Sequence, residues 1–277
     1  MDEHLQVREA RVTTNMILPL LISTTAVILT LFYASFRDIL ERRVPFRTWY
    51  PMLAIGLPAV TWFYFSLLQG GGWQPVLFFL LLTGLFSLFF YLFAFFHLFG
   101  GADAWALIFI AVCIPFFPFE PALGYPPLRY FPLTVLTNAV VLNLVTPVII
   151  FLQNIVRRHK APLPYLFLGF PVRGDDIGNT FGYVMEEIGE EEGAIRRRFI
   201  PIGSAMKSML QGERRLYTKE MGLHPEEYAT ELALFRRAGT VWISYGVPFI
   251  VPITAGLITA LLAGDLLFSA MMFVRGM

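Results

Sequence analysis

Two carboxylates stand apart in a chain that otherwise keeps charge out of its apolar runs. Asp103 follows Gly100-Gly101-Ala102 inside an apolar tract spanning residues 75–118. A membrane-crossing helix needs roughly 20 residues, so this tract reads as two helices joined at the glycines, with Asp103 the one acid at the junction. A carboxylate at a membrane boundary is costly unless it has a partner or a polar task. Paired glycines remove side-chain bulk, which lets another segment approach the backbone. Asp38 lies just past the end of the first apolar run. Two carboxylates brought close together cannot both ionise easily and share one proton. One member then takes a proton from water while the other gives one to a carbonyl or a leaving amine. A helix N-terminus favours an anion, so Asp103 is the expected base.

The apolar runs must position these acids. The chain has 277 residues, of which 56% are hydrophobic and 15% charged, and a mean hydropathy of +0.63. This composition excludes an ordinary soluble domain and indicates a polytopic membrane protein. The expected class is all-α with six transmembrane helices, at 16–36, 51–68, 75–99, 104–118, 131–152 and 246–273. A small mixed α/β domain is expected between helices five and six. The domain limits are 1–156 for helices one to five, 157–240 for the polar domain and 241–277 for the sixth helix. Residues 1–15 read as a polar tail and not as a cleaved signal, because no small-residue cleavage site follows the first run. Asn138, Asn143 and Pro147 are polar or kinking features of the fifth helix. His224-Pro225-Glu226-Glu227 predicts the start of a helix ending at Arg237, with proline at the first position and acids in the first turn.

Charge distribution sets the expected orientation. Arg37, Arg42, Arg43 and Arg47 follow the first helix, and residues 157–237 hold most of the remaining basic side chains. By the positive-inside rule these segments are cytoplasmic and both termini lie outside. That threading puts Asp38 and Asp103 at one membrane face. Glu41, one turn further on, is a third candidate; Glu120 and Asp265 fall towards the opposite face. His97 and His159 lie near the same face as the pair, in interfacial roles. The bland alternative for Asp38 is an interfacial acid balancing Arg37, Arg42 and Arg43. Cys113 is the single cysteine, so neither an internal disulfide nor a CxxC metal pair is available, and no metal or cofactor is expected. A net charge of +1 gives no indication of a nucleic-acid partner.

The residues around both acids resemble a known family, the archaeal preflagellin and prepilin peptidases related to bacterial type IV prepilin peptidases. Ser35-Phe36-Arg37-Asp38-Ile39 through Arg43-Val44-Pro45 is similar to the family's pattern at the end of helix one. Gly100-Gly101-Ala102-Asp103 resembles the GxGD signature of intramembrane aspartic proteases, with Ala102 where the family usually has glycine. Val241-Trp242-Ile243 and Pro248-Phe249-Ile250-Val251-Pro252-Ile253-Thr254 look like the opening of the family's final helix. The chain lacks the cysteine module of the bacterial enzymes, so the resemblance implies a peptidase without metal or methyltransferase activity.

What the resemblance implies is a membrane-embedded aspartic endopeptidase with Asp38 and Asp103 catalytic and Gly100, Gly101 and Ala102 supporting them. Its partners would be preflagellin or prepilin-like precursors, whose short basic signal is cut at the cytoplasmic face, and membrane lipid. The basic signal suggests a role for Glu190-Glu191-Glu192, although a solvated run balanced by Arg196-Arg197-Arg198 explains those acids more simply. Pro121-Ala122-Leu123 mimics a presenilin motif but falls in the opposite loop, and Gly174-Asp175-Asp176 and Gly264-Asp265 read as structural. A proton- or cation-coupled transporter using the same acids is the alternative, although no repeated halves are evident. A non-catalytic scaffold gives no reason for an acid beside paired glycines.

Overall fold

The structure, a computed structural model, describes residues 2–96, 99–210, 216–246 and 248–276; His97 lies outside them. In chain order the helices begin with α1 (Asp2–Glu41), a 3-10 turn (Phe46–Trp49), α2 (Tyr50–Gly71), α3 (Trp73–Phe95), α4 (Gly101–Cys113) and α5 (Phe131–Asn143). There follow α6 (Val145–Val156), α7 (Leu163–Leu168), β1 (Gly169–Arg173), β2 (Glu186–Glu191), β3 (Ala194–Phe199) and α8 (Ile202–Leu210). The chain ends with α9 (Thr218–Leu223), α10 (Ala229–Ala238), β4 (Thr240–Ser244), α11 (Ile250–Leu262) and α12 (Leu266–Val274). Contacts divide it into two units, Met1–Asn143 with Pro248–Met277, and Leu144–Val247.

The first unit is a helical bundle whose core includes Val27, Leu31, Leu107, Ile110, Phe131 and Leu257, all fully buried. Among the described residues, four helices are long and apolar enough to cross a membrane, Met16–Glu41, Phe46–Gly71, Trp73–Phe95 and Phe131–Val156, or five if the bent pair α11 and α12 is one span. The expected fourth crossing differs. With 13 residues, α4 rises only about 20 Å, short of the ~30 Å hydrocarbon core. It stops where Pro115 approaches, and most of its side chains are buried. The expected tail at 1–15 is also different, because α1 is helical from Asp2.

Two further helices break where single helices were expected. Asn143 ends α5 and Leu144 separates it from α6. Pro147 lacks an N–H and its ring crowds the carbonyl four residues back, which is Asn143, so the ladder fails there. The final helix bends by 58° between Leu262 and Leu266. The bend is built in. Asn138, fully buried, donates from Nδ2 to Gly264 O and accepts from Leu266 N–H, at 2.8 and 2.9 Å. Asp265 caps α12 by accepting from Phe268 N–H. The Pro121-Ala122-Leu123 segment donates its Ala122 and Leu123 N–H groups to the carbonyls of Leu262 and Ala263. The backbone groups freed by the break are thereby satisfied, as an apolar surrounding requires. At the middle of α11, Gly256 lets α5 approach closely: an added Cβ would stand 2.6 Å from Val135 O and 2.7 Å from Ala139 N.

In the second unit, β1 pairs with β4 and β2 with β3, both antiparallel. The β2–β3 hairpin turns at Glu192 and Gly193, both at positive φ, as a two-residue type I′ turn requires. Ile177, Val184, Met221, Phe235, Val241 and Ile243 form its core. The helix expected from His224 begins only at Ala229, since Tyr228 sits outside helical geometry at φ −114°, ψ 23°. Within the acidic run, Glu191 reaches Arg196, while Glu190 forms a two-pronged pair with Arg237 on α10. The hydrogen bond and charge of Arg237 hold the exposed Glu190 carboxyl below its ordinary range.

Candidate functional site: two acids at one helix N-terminus

Asp38 belongs to the core face of α1. Val27, Leu31, Ala34, Ser35 and Asp38 are buried, at spacings of three and four that put them on one helical stripe. Phe36 and Ile39 are exposed because they fall on the other side of that stripe. Asp38 is therefore carried inward by the same periodicity that buries leucines. Its Oδ2 is buried and has no hydrogen-bond partner among the described residues, which is unusual for so polar an atom. Arg42, one turn on, lies within electrostatic reach of this carboxyl.

Asp103 sits in the first turn of α4, with Gly100 as N-cap. The two glycines before it differ in kind. A Cβ on Gly100 would collide with Asp103 Oδ2, whereas a Cβ on Gly101 would meet nothing. The carboxyl thus folds back over Gly100, and only that glycine is needed for its position. Phe99 packs edge-on against Phe90 and Phe249, with ring centroids 5.6 and 5.4 Å apart. This joins the junction to α3 and to the residue before α11.

The start of α11 completes the arrangement. The first turn of a helix leaves backbone N–H groups without partners in the ladder. Here Val251 N–H is taken by Pro248 O and Ile253 N–H by Phe249 O, and Pro252 has none. Ile250 N–H is left, and it is the polar neighbour common to both carboxyls. The two acids are themselves within electrostatic reach of each other. Ser35 and Thr254 fix the spacing behind them. Their hydroxyl oxygens are 2.8 Å apart, and Thr254 donates to Ile250 O at 2.9 Å, which leaves its oxygen to accept from Ser35.

Among the expected candidates, Asp38 and Asp103 lie within electrostatic reach of each other. Glu41 is partly exposed and pairs with Arg37 at 2.7 Å. Asp265 caps α12 at the far end of α11, about 18 Å from Ile250 by helical rise. The GD at Gly174 is structural, because a Cβ there would strike Phe235 O. Pro121-Ala122-Leu123 straps the α11–α12 break. His159 belongs to the second unit. No cluster of metal-ligating side chains occurs among the described residues. Ile250 escaped sequence reasoning because a backbone donor has no side-chain signature; its nearest signal was Pro252, which removes one other donor from the same turn.

Such a constellation sets two carboxyls within electrostatic reach of each other and near one backbone N–H. A family model for the type IV leader peptidase family matches residues 25–152, and one for the archaeal peptidase A24 C-terminus, type II, matches residues 161–266. A preflagellin peptidase of Methanocaldococcus jannaschii is 23% identical over 188 residues, 64% of this chain and 68% of that protein. The first match contains both acids and the second contains Ile250 and Thr254. With the site divided between the two matched regions in this way, the chain belongs to the type IV leader peptidase family and carries the archaeal A24 C-terminal domain.

Proposed function

We propose that the protein is a membrane-embedded aspartic endopeptidase that removes the short basic signal from preflagellin or prepilin-like precursors. The observation that carries this reading is the approach of Asp38 and Asp103 to one backbone N–H, that of Ile250. In the proposed reaction the pair holds one proton. Asp103, at the N-terminus of α4, is the base that takes a proton from water as its oxygen attacks the scissile carbonyl carbon. Asp38 donates its proton to the carbonyl oxygen. As the tetrahedral gem-diol collapses, one of its hydroxyls returns a proton to Asp38, the C–N bond breaks, and the proton gathered by Asp103 passes to the leaving amine, which restores the singly protonated pair. The buried Oδ2 of Asp38 without a partner suits a position that must exchange protons.

The cytoplasmic face is the proposed place of cleavage, with both termini outside and residues 157–240 inside. A basic signal remains on that side while its apolar continuation inserts. In this topology α4 crosses together with the non-helical residues after it. The test is cleavage of a preflagellin in membranes carrying wild type, Asp38→Asn or Asp103→Asn, with protein levels checked by immunoblot. Loss in both variants at normal levels supports the pair. Cleavage surviving one change removes that residue from it, and an intact precursor with wild type rejects the substrate class.

A further inference from the structure

The second unit contains a cleft of ≈ 570 Å³ whose lining includes Arg158, His159, Lys160, Arg173, Arg197 and Glu186. Its charge is one-sided. Glu186 is 5% exposed, and its Oε2 accepts from Arg197 at 2.7 Å and from Trp242 N–H at 3.3 Å. That acid is consumed in holding Arg197. Arg173 reaches Asp175 and Asp176 only at 3.8 Å, in exposed pairs. Arg158 and Lys160 form no ion pair among the described residues.

One side of the cleft is oriented by a buried residue. Asn154 is fully buried and donates from Nδ2 to Leu166 O and Gly169 O, each at 2.8 Å. Both amide protons are used, so Oδ1 must accept from His159 Nδ1, 2.9 Å away. The imidazole is thereby turned with Nδ1–H inward, and Nε2 is left without a hydrogen bond among the described residues.

The location identifies the ligand. The apolar span Phe131–Val156 ends where this basic run begins: Val156 is 80% exposed, and Arg157-Arg158-His159-Lys160 follow at once. A basic segment directly after a membrane-crossing helix stands in the headgroup layer, where anionic lipids gather. We propose that this cleft binds the phosphate of an anionic phospholipid headgroup, held by Arg158, Lys160 and Arg173 with His159. It thereby ties the polar unit to the membrane surface. This rests on the crossing by Phe131–Val156 and not on the peptidase chemistry.

The test uses the purified full-length protein in mixed micelles of detergent and phosphatidylcholine, titrated with phosphatidylglycerol. Lipid retained on the protein is measured by mass spectrometry, and the unfolding midpoint is followed in parallel. Phosphatidylglycerol is expected to be retained in preference to phosphatidylcholine and to raise the midpoint. The double variant Arg158→Ser/Lys160→Ser should bind it roughly thirtyfold more weakly, at about 1 kcal/mol per basic residue near the surface. Lys160→Ala alone should lose about fivefold and serves if the double variant does not fold. Arg198→Ser, outside the cleft, should behave as wild type. Equal retention of the two lipids, or unchanged affinity in the variants, overturns the proposal. A matching midpoint rise from glycerol 3-phosphate also overturns it, since the site would then hold a free phosphate ester.

Discussion

The hydroxyl oxygens of Ser35 and Thr254 stand 2.8 Å apart and tie α1 to α11 one turn from Asp38 and one turn from Ile250. The bond joins two helices at the level of the acids, so its removal should be felt in their spacing. Ser35→Ala is expected to cost about 1 kcal/mol of stability and to slow precursor cleavage roughly tenfold through misplacement of the pair. Thr254→Val should do the same. The double variant should lose little more than either alone, because the two hydroxyls act as one unit. Additive losses in a double-mutant cycle of cleavage rates would contradict the shared role.

The glycines before Asp103 separate cleanly. Gly100 is at φ −61°, ψ 132°, geometry any residue adopts, so Gly100→Ala costs little backbone strain. Its methyl would, however, occupy the place of Asp103 Oδ2. The carboxyl must rotate away, and cleavage should fall a hundredfold or more, on the order of losing an acid–base group, with the unfolding midpoint nearly unchanged. Gly101→Ala meets nothing and should cleave within about twofold of wild type, with a gain of up to about 1 kcal/mol from helix propensity.

Cleavage should show a bell-shaped pH dependence that belongs to the pair and to neither acid alone. Below the lower limb both carboxyls are protonated and no base is present. Above the upper limb both are ionised and no proton donor is present. Activity is therefore lost in both directions, and each limb should fall about tenfold per pH unit. A rate rising to a plateau at high pH would show that one ionised carboxylate suffices. Kinetics of kcat/KM against pH on a preflagellin signal peptide provide the check.

Gly256 lies against backbone atoms, Val135 O and Ala139 N of α5, which cannot swing aside as a side-chain tip can. Gly256→Ala must push α5 and α11 apart and is expected to cost about 1–3 kcal/mol. Gly84 on α3 has open space around its position, so Gly84→Ala should be neutral or stabilising by up to about 1 kcal/mol. Thermal unfolding in detergent distinguishes the two; equal midpoints would refute the close approach of α5 and α11.

Both acids stand out in the sequence because an ionisable side chain beside an apolar tract is rare on physical grounds. Their convergence stands out less, since it depends on α1, α4 and α11 meeting across large sequence separations. The positions of breaks were less legible than their presence. Asn143 and Pro147 marked residues 131–152 as polar or kinked, but the interruption at Leu144 was not placed. Asn138 read as a polar feature of a helix, and its task of bridging Gly264 and Leu266 lies in another helix altogether. Proline at 225 was a correct signal of helix entry in general, but Tyr228 delays the helix to Ala229. Gly100 and Gly101 looked equivalent as letters, and only the fold of the Asp103 side chain tells them apart.

Because the N–H that neighbours the two carboxyls comes from the main chain at Ile250, nineteen-residue saturation at that position would leave it in place with a single exception, proline. Side-chain scanning is therefore blind to one third of the constellation. The side chain at residue 250 can change as its packing allows without touching that donor. The informative perturbation is chemical: replacing the amide at 250 by an ester deletes the donor and keeps the side chain. Inhibitors meant for this centre should likewise be judged by whether they accept from that one amide.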